Sequence, residues 1–200
     1  MKRNSVFAVI LACVLCLITG CTSTSNVPPP TIEPTPVVTV QPTESPTETP
    51  VSELTVHFID VGQADAAVLQ CGDDTMMIDG GNVADSSLIV AYLKKLNIDN
   101  IDYMVCTHAH EDHVGGLSAP LSVMPVSAVY APSAEADSKA YQNFKRKAAD
   151  QNTEIMHPEN YESFPFGSAR VEILACPDNA DNLNNTSIIL KVTHKNKSFL

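Results

Sequence analysis

The run "IDYMVC", residues 101–106, is short and almost continuously apolar. Such a run reads as a strand buried on both faces, which requires a sheet with covering layers on either side. Upstream, "ADSSLIVAYLKKLNI" places Leu88, Ile89, Tyr92, Leu93 and Leu96 on one helical face, with Asp85 or Ser86 as N-cap. Before it, "LTVHFID" alternates like a strand, and "AAVLQ" and "TMMID" flank "CGDD" as a hairpin with a four-residue turn. Downstream, "VSAVYAP", "TEIMH", "ARVEILA" and "TSIILKVTH" read as further strands, and Asp137 is expected to cap a helix running to about Asp150. Strands interleaved with helices make the expected class α/β.

The buried strand runs straight into "THAHEDHVGG", residues 107–116, which holds three of the six histidines of the chain. Crowded imidazoles disfavour one another's protonation, and a bound cation removes that cost. On an extended loop alternate residues share a face, so His108 and His110 point the same way. Asp112 and His113 follow at a turn, where they can face a second ion. Imidazole with carboxylate suits zinc, and also manganese or iron. Two such ions lower the pKa of a bridging water and stabilise charge on a substrate oxygen. Gly115 and Gly116 are expected to let the backbone turn sharply after these residues. The isolated His57, His157 and His194 read as ordinary surface or core residues. A purely structural cluster would need three imidazoles satisfied by hydrogen bonds alone.

The first fifty residues differ in kind. Lys2 and Arg3 precede an apolar run from Val6 to Ile18, too short to span a bilayer but suited to a signal peptide. It ends in "ITGC", which resembles a bacterial lipobox and implies cleavage before Cys21 and lipidation of its thiol. An ordinary secretory signal or a short membrane anchor is the alternative, and each of these implies export. Residues 22–53 carry eight of the fourteen prolines among Thr, Ser and Val, so they read as an extended, mobile tether. The expected organisation is a signal peptide over 1–20, a lipid-anchored linker over 21–53 and a folded domain over 54–200.

Of six cysteines, only Cys71, Cys106 and Cys176 fall in the folded part. An odd number at irregular spacing reads as buried free thiols, with one disulfide as the alternative. Without Lys2 and Arg3, ten basic side chains face twenty-three acidic ones, a charge of about −13 with His neutral. That opposes non-specific attraction to DNA or anionic lipid, although a metal site can still hold phosphates locally. The basic run Lys145, Arg146 and Lys147 reads as a solvated helix face rather than a phosphate contact.

"THAHEDHVGG" resembles the His-x-His-x-Asp-His signature of the metallo-β-lactamase superfamily. "HFIDVGQADAAVLQ", "TMMIDGG" and "NNTSIILKV", in that order, make the chain similar to one branch. That branch holds the extracytoplasmic hydrolase domain of the competence protein ComEC and its secreted stand-alone relatives. The resemblance spans residues 54–200 and implies an αββα sandwich with a dinuclear metal site at one edge. By motif, it implies that His108 and His110 bind the first metal, and that Asp112 and His113 bind the second. Asp112 is also implied as catalytic, orienting the attacking water or acting as its base. Asp79 of "MIDGG" would support the metal loop from behind, as would Asp65 of "GQADA", where Ala64 replaces the family's second glycine. Asn184, Asn185 and Ser187 of "NNTS" either help the site or form an ordinary turn and strand start.

The family pattern continues into a "TGD"-like segment and a further His that would lie beyond Leu200, and "KNKSFL" reads as a turn entering another strand. The domain is therefore expected to be truncated at its C-terminal end, with a short edge strand at a natural terminus as the alternative. The leading expectation is a membrane-anchored hydrolase using two divalent ions, zinc or manganese, on phosphodiester substrates, with no protein partner implied. Lactam, lactone or thioester hydrolysis stays open, since a fold does not choose a substrate. So does a non-catalytic metal-binding or interaction lipoprotein.

Overall fold

A computed structural model describes residues 51–178 and 181–200. The expected signal peptide, Cys21 and the linker as far as residue 50 lie outside the described residues. Among those described, no helix is long and apolar enough to cross a membrane.

Among the described residues, ten strands form two sheets. The first has the order β1-β2-β3-β4-β5-β6, built from Leu54–Phe58, Ala66–Cys71, Asp74–Gly80, Ile101–Val105, Val126–Tyr130 and Ile155–Met156. Its β1, β2 and β3 are antiparallel, and β3 to β6 are parallel. The second sheet has the order β10-β9-β8-β7 and is antiparallel throughout, from Ser163–Phe166 (β7), Ala169–Ala175 (β8), Ile189–His194 (β9) and Lys197–Phe199 (β10). The described residues also form four α-helices, α1 (Ser86–Lys95), α2 (Glu111–Val114), α3 (Pro120–Val123) and α4 (Lys139–Asp150), and three 3₁₀ turns.

Alternation along the central strands explains the layering. Met77 and Met104 face a core shared with Ile89 and Leu93 of α1 and with Tyr141 and Phe144 of α4. Their neighbours Met76 and Val105 face the opposite way, against Phe166, Val171, Ile173 and Val192 of the second sheet. All six of the first-named side chains and Met76, Val105, Phe166 and Val171 are 1 % exposed or less. The described residues thus build three layers of the expected sandwich: helices, a mixed sheet and an antiparallel sheet. Between the sheets Phe164 stacks on Tyr103 with ring centroids 4.7 Å apart and lies parallel to Tyr130 at 5.4 Å.

Several local expectations need correction. The β2–β3 turn has two residues rather than four, since Cys71 pairs directly with Asp74. Leu88 does not join the buried face of α1: it is 44 % exposed, while Ile89 and Leu93 are fully buried. The N-cap of α4 is Ser138, whose hydroxyl accepts from Tyr141 N–H at 3.2 Å, rather than Asp137. Strand β7, "SFPF", carries a proline and was not read as a strand; it pairs only with β8, at the sheet edge where a missing N–H is tolerated. Cys71, Cys106 and Cys176 are free buried thiols, as expected.

Candidate metal centre

The parallel strands β3 and β4 end side by side; Asp79 near the end of β3 and the chain that follows β4 carry most of the cluster. In β3 the pairing with β2 slips between Ala66 and Ala67: Ala66 faces Gly80 and Ala67 faces Ile78, leaving Asp79 as the extra residue of a bulge. Asp79 has φ of +54°, in the left-handed region, and is 2 % exposed. A bulge re-aims the side chain it carries. Here it turns the carboxylate under the loop after β4, at a backbone cost of about 1–3 kcal/mol that the surrounding contacts must offset.

Those contacts come mainly from the loop. Thr107 N–H donates to Asp79 Oδ1 at 2.7 Å, and the Thr107 hydroxyl donates to Oδ2 at 2.6 Å. His113 Nδ1 lies 2.8 Å from the same Oδ2. Because α2 is a single turn starting at Glu111, Asp112 and His113 stand on a helical turn packed on β3. That packing needs glycine. A Cβ on Gly116 would stand 2.0 Å from the Gly80 carbonyl oxygen, and one on Gly115 2.4 Å from Val83 N. Gly115 and Gly116 continue the helical path and serve close backbone approach, not the sharp turn expected of them.

His108 and His110 do share a face. His108 Nε2 and His110 Nδ1 are 3.1 Å apart, and Asn184 Oδ1 is 2.9 Å from His110 Nδ1. Asn184 sits on a 3₁₀ turn, Leu183–Thr186, that precedes β9. Ile188 N–H donates to the Thr107 carbonyl at 2.9 Å and ties that segment to the histidine loop. On the other side, His113 Nε2 lies 3.7 Å from Asp65 Oδ2 and 3.9 Å from Asp112 Oδ2. The His108 and His113 rings are in contact, with centroids 4.0 Å apart.

This donor set suits divalent cations. Ligands at about 2.0–2.2 Å around a tetrahedral ion lie roughly 3.3–3.6 Å apart. The His108–His110 nitrogens already have nearly that separation, and the exposed Asp65 and Asp112 carboxylates need to close only a few tenths of an ångström on His113. Among the described residues no three His, Cys, Asp or Glu side chains form a ready-made cage. The first group has an amide as its third member, and the second is slightly open. His113 also directs Nδ1 at a buried carboxylate, the second contact that metal-binding imidazoles commonly make.

Charge in the cluster is uneven. Asp79, hydrogen-bonded to His113, raises the pKa of that imidazole against the opposing effect of burial. Burial lowers His108, and a charged His113 beside it adds to the lowering. Beneath the loop the Cys106 thiol donates to the His108 carbonyl at 3.1 Å, and burial pushes its pKa well above the ordinary thiol value.

Other candidates divide. Asn184 reaches the cluster, and Ser187 lines the same open pocket of about 400 Å³ as Asp65, His108 and His113. Asn185 gives its N–H to both the carbonyl and the side-chain oxygen of Asn182, each at 3.2 Å, as part of the 3₁₀ turn. Asp65 has its backbone locked between Asp112 O and Gly81 N, and Ala64 fits without a left-handed backbone. His57, His157 and His194 pair with Tyr92, Ala131 O and Ser52 O away from the cluster. Thr107 was missed by sequence reasoning; its place between the strand and His108 was the available signal.

No curated protein matches the chain. Among solved structures, a Cronobacter sakazakii metallo-beta-lactamase with a HARLDQ motif is 19 % identical, covering 70 % of this chain and 55 % of its own, with TM-score 0.49. YhfI of Bacillus subtilis, a metallo-beta-lactamase fold protein, is 16 % identical over 74 % of this chain and 58 % of its own, TM-score 0.45. CmlA, a diiron beta-hydroxylase of Streptomyces venezuelae, is 18 % identical over 75 % and 29 %, TM-score 0.46. The chain thus spans little more than half the length of the first of these. The family model "Metallo-beta-lactamase superfamily" matches residues 59–162, just over half of the sequence and the whole stretch from β2 to the end of α4. The chain belongs to the metallo-beta-lactamase superfamily.

Proposed function

We propose that the chain is an exported, lipid-anchored hydrolase of the ComEC-like branch, acting on phosphodiesters with the help of divalent ions. The observation that carries this reading is the shared carboxylate: Asp79 meets His113 Nδ1 at 2.8 Å and leaves its Nε2 toward Asp65 and Asp112. Members of the superfamily are typically metal-dependent hydrolases. His108 Nε2, His110 Nδ1 and Asn184 Oδ1 would hold one ion; His113 Nε2, Asp112 and Asp65 would hold the other. When bound, zinc or manganese supplies Lewis acidity that makes water nucleophilic at neutral pH and draws charge from a substrate oxygen.

The protein's own residues do the rest. Asp112, 41 % exposed, orients the attacking water or takes its proton. Asp79 and the loop backbone keep the imidazoles from turning away. The net charge of −11 makes the approach of long polyanions unfavourable, which points to nucleotides or short oligomers as substrates. The "ITGC" segment supports anchoring through Cys21 on the outer face of a bacterial membrane.

A second reading, a non-catalytic metal-binding or interaction lipoprotein, is favoured by the lack of a three-donor cage among the described residues. Hydrolysis of bis(p-nitrophenyl) phosphate with added Zn²⁺ or Mn²⁺ separates the two. Turnover that falls to background in His110→Ala and Asp112→Ala supports the hydrolase; metal uptake without turnover supports the second reading. For the anchor, Cys21→Ala should release the protein from the membrane fraction or leave it unprocessed. Unchanged cleavage and membrane retention would rule Cys21 out.

A further inference from the structure

Asp79 reaches one imidazole directly, through Nδ1 of His113, but it does not touch His108. Between them stands the Thr107 hydroxyl, 2.6 Å from Asp79 Oδ2 and 3.1 Å from His108 Nδ1. A hydroxyl has one hydrogen and two lone pairs, whereas a carboxylate only accepts. The short contact therefore takes the Thr107 hydrogen to Asp79. What remains for His108 is a lone pair, which can pair only with a protonated Nδ1. An imidazole protonated at Nδ1 and neutral overall presents a lone pair at Nε2, the atom that faces His110.

We infer that Thr107 is a positioning residue: its hydroxyl relays the Asp79 carboxylate to His108, so that one buried acid fixes the tautomers of both His108 and His113. The inference rests on the reading of the cluster as a metal centre for its use, but not for its geometry. Thr107 is well placed for the task. Its N–H is held by Asp79 Oδ1 and its carbonyl by Ile188 N–H, so the backbone is pinned on both sides and the hydroxyl has little freedom to turn elsewhere. His108 is 4 % exposed, which leaves water a poor substitute for the lost partner. The arrangement also explains how a single carboxylate serves two rings only 4.0 Å apart.

The test is long-range ¹H–¹⁵N correlation of the imidazoles in the metal-free chain, at a pH where they are neutral, beside a Zn²⁺ competition titration. The parent should show His108 protonated at Nδ1. Thr107→Val, nearly isosteric but without the hydroxyl, should shift His108 toward the Nε2–H form and weaken the Zn²⁺ bound with His110 by about 10- to 100-fold. Thr107→Ser should keep the parent tautomer and stay within about threefold of its affinity. His108 found with Nε2–H in the parent overturns the inference with no variant needed. So does a Thr107→Val chain with unchanged tautomer and affinity, or a Thr107→Ser chain that loses as much as Thr107→Val. A parent that takes up no Zn²⁺ while keeping the Nδ1–H form upholds the relay and refutes the metal reading instead.

Discussion

Asp79 Oδ2 and His113 Nδ1 meet at 2.8 Å, one from the end of β3 and the other from α2, thirty-four residues later. The contact depends on the bulge that gives Asp79 its positive φ, and it fixes which nitrogen of His113 faces the pocket. Asp79→Asn replaces an acceptor-only group with one that also donates, so it conflicts with at least one of three donors. Zinc affinity should fall about 10- to 100-fold. Asp79→Ala should also cost about 1–3 kcal/mol in urea unfolding with chelator present, because it leaves the Thr107 N–H and hydroxyl unpaired. Parental affinity in Asp79→Asn would show that the carboxylate does not set the ring.

Zinc binding should strengthen with rising pH through the raised pKa of His113, because the ligand nitrogen must first shed its proton. In the metal-free chain the His113–Asp79 pair works the other way. Its contribution is fully present below the ordinary histidine value of about 6.5 and is lost as pH rises through the higher folded value. His108, lowered by burial, opposes this by costing stability as pH falls below that same ordinary value. Competition titrations across neutral pH, repeated in His113→Gln, check the assignment. An affinity in the parent that does not change with pH would contradict it.

Leu93 and Leu88 sit five residues apart on α1 and should behave oppositely. Leu93 is fully buried, so Leu93→Ala should cost about 2–5 kcal/mol. Leu88 is 44 % exposed, and Leu88→Ala should stay within about 0.5 kcal/mol. Urea unfolding of both variants compares them; equal losses would mean that the helix is turned differently on the sheet.

That pair also shows how far the sequence could be read. Periodicity located α1 and its general face, but the boundary of that face depends on where the neighbouring chain covers it, and Leu88 falls just outside. The histidine spacing was legible because it is a short-range pattern: His108 and His110 do stand together, and Asp79 does approach from the adjacent strand. The bulge at Asp79 was not legible. Register is a property of two paired strands, and nothing in "TMMIDGG" alone says which residue will be left over. For the same reason the close approach served by Gly115 and Gly116, to a segment more than thirty residues earlier, looked like a local turn signal. Strand β7 was hidden by its proline, and Thr107 by the histidines that follow it.

Metal content after exhaustive dialysis tests the central claim most directly, measured by elemental analysis of the parent chain, His110→Ala, Asp112→Ala and the two controls His57→Ala and His157→Ala. The parent should retain about one zinc ion per chain or slightly less, because the second group of donors is slightly open and holds its ion weakly, and His110→Ala should retain almost none. Asp112→Ala should fall between them, since the first group of donors is left intact. The controls should match the parent, because their imidazoles pair with Tyr92 and Ala131 away from the cluster. Undiminished zinc in His110→Ala, or equal loss across all four variants, would contradict the account.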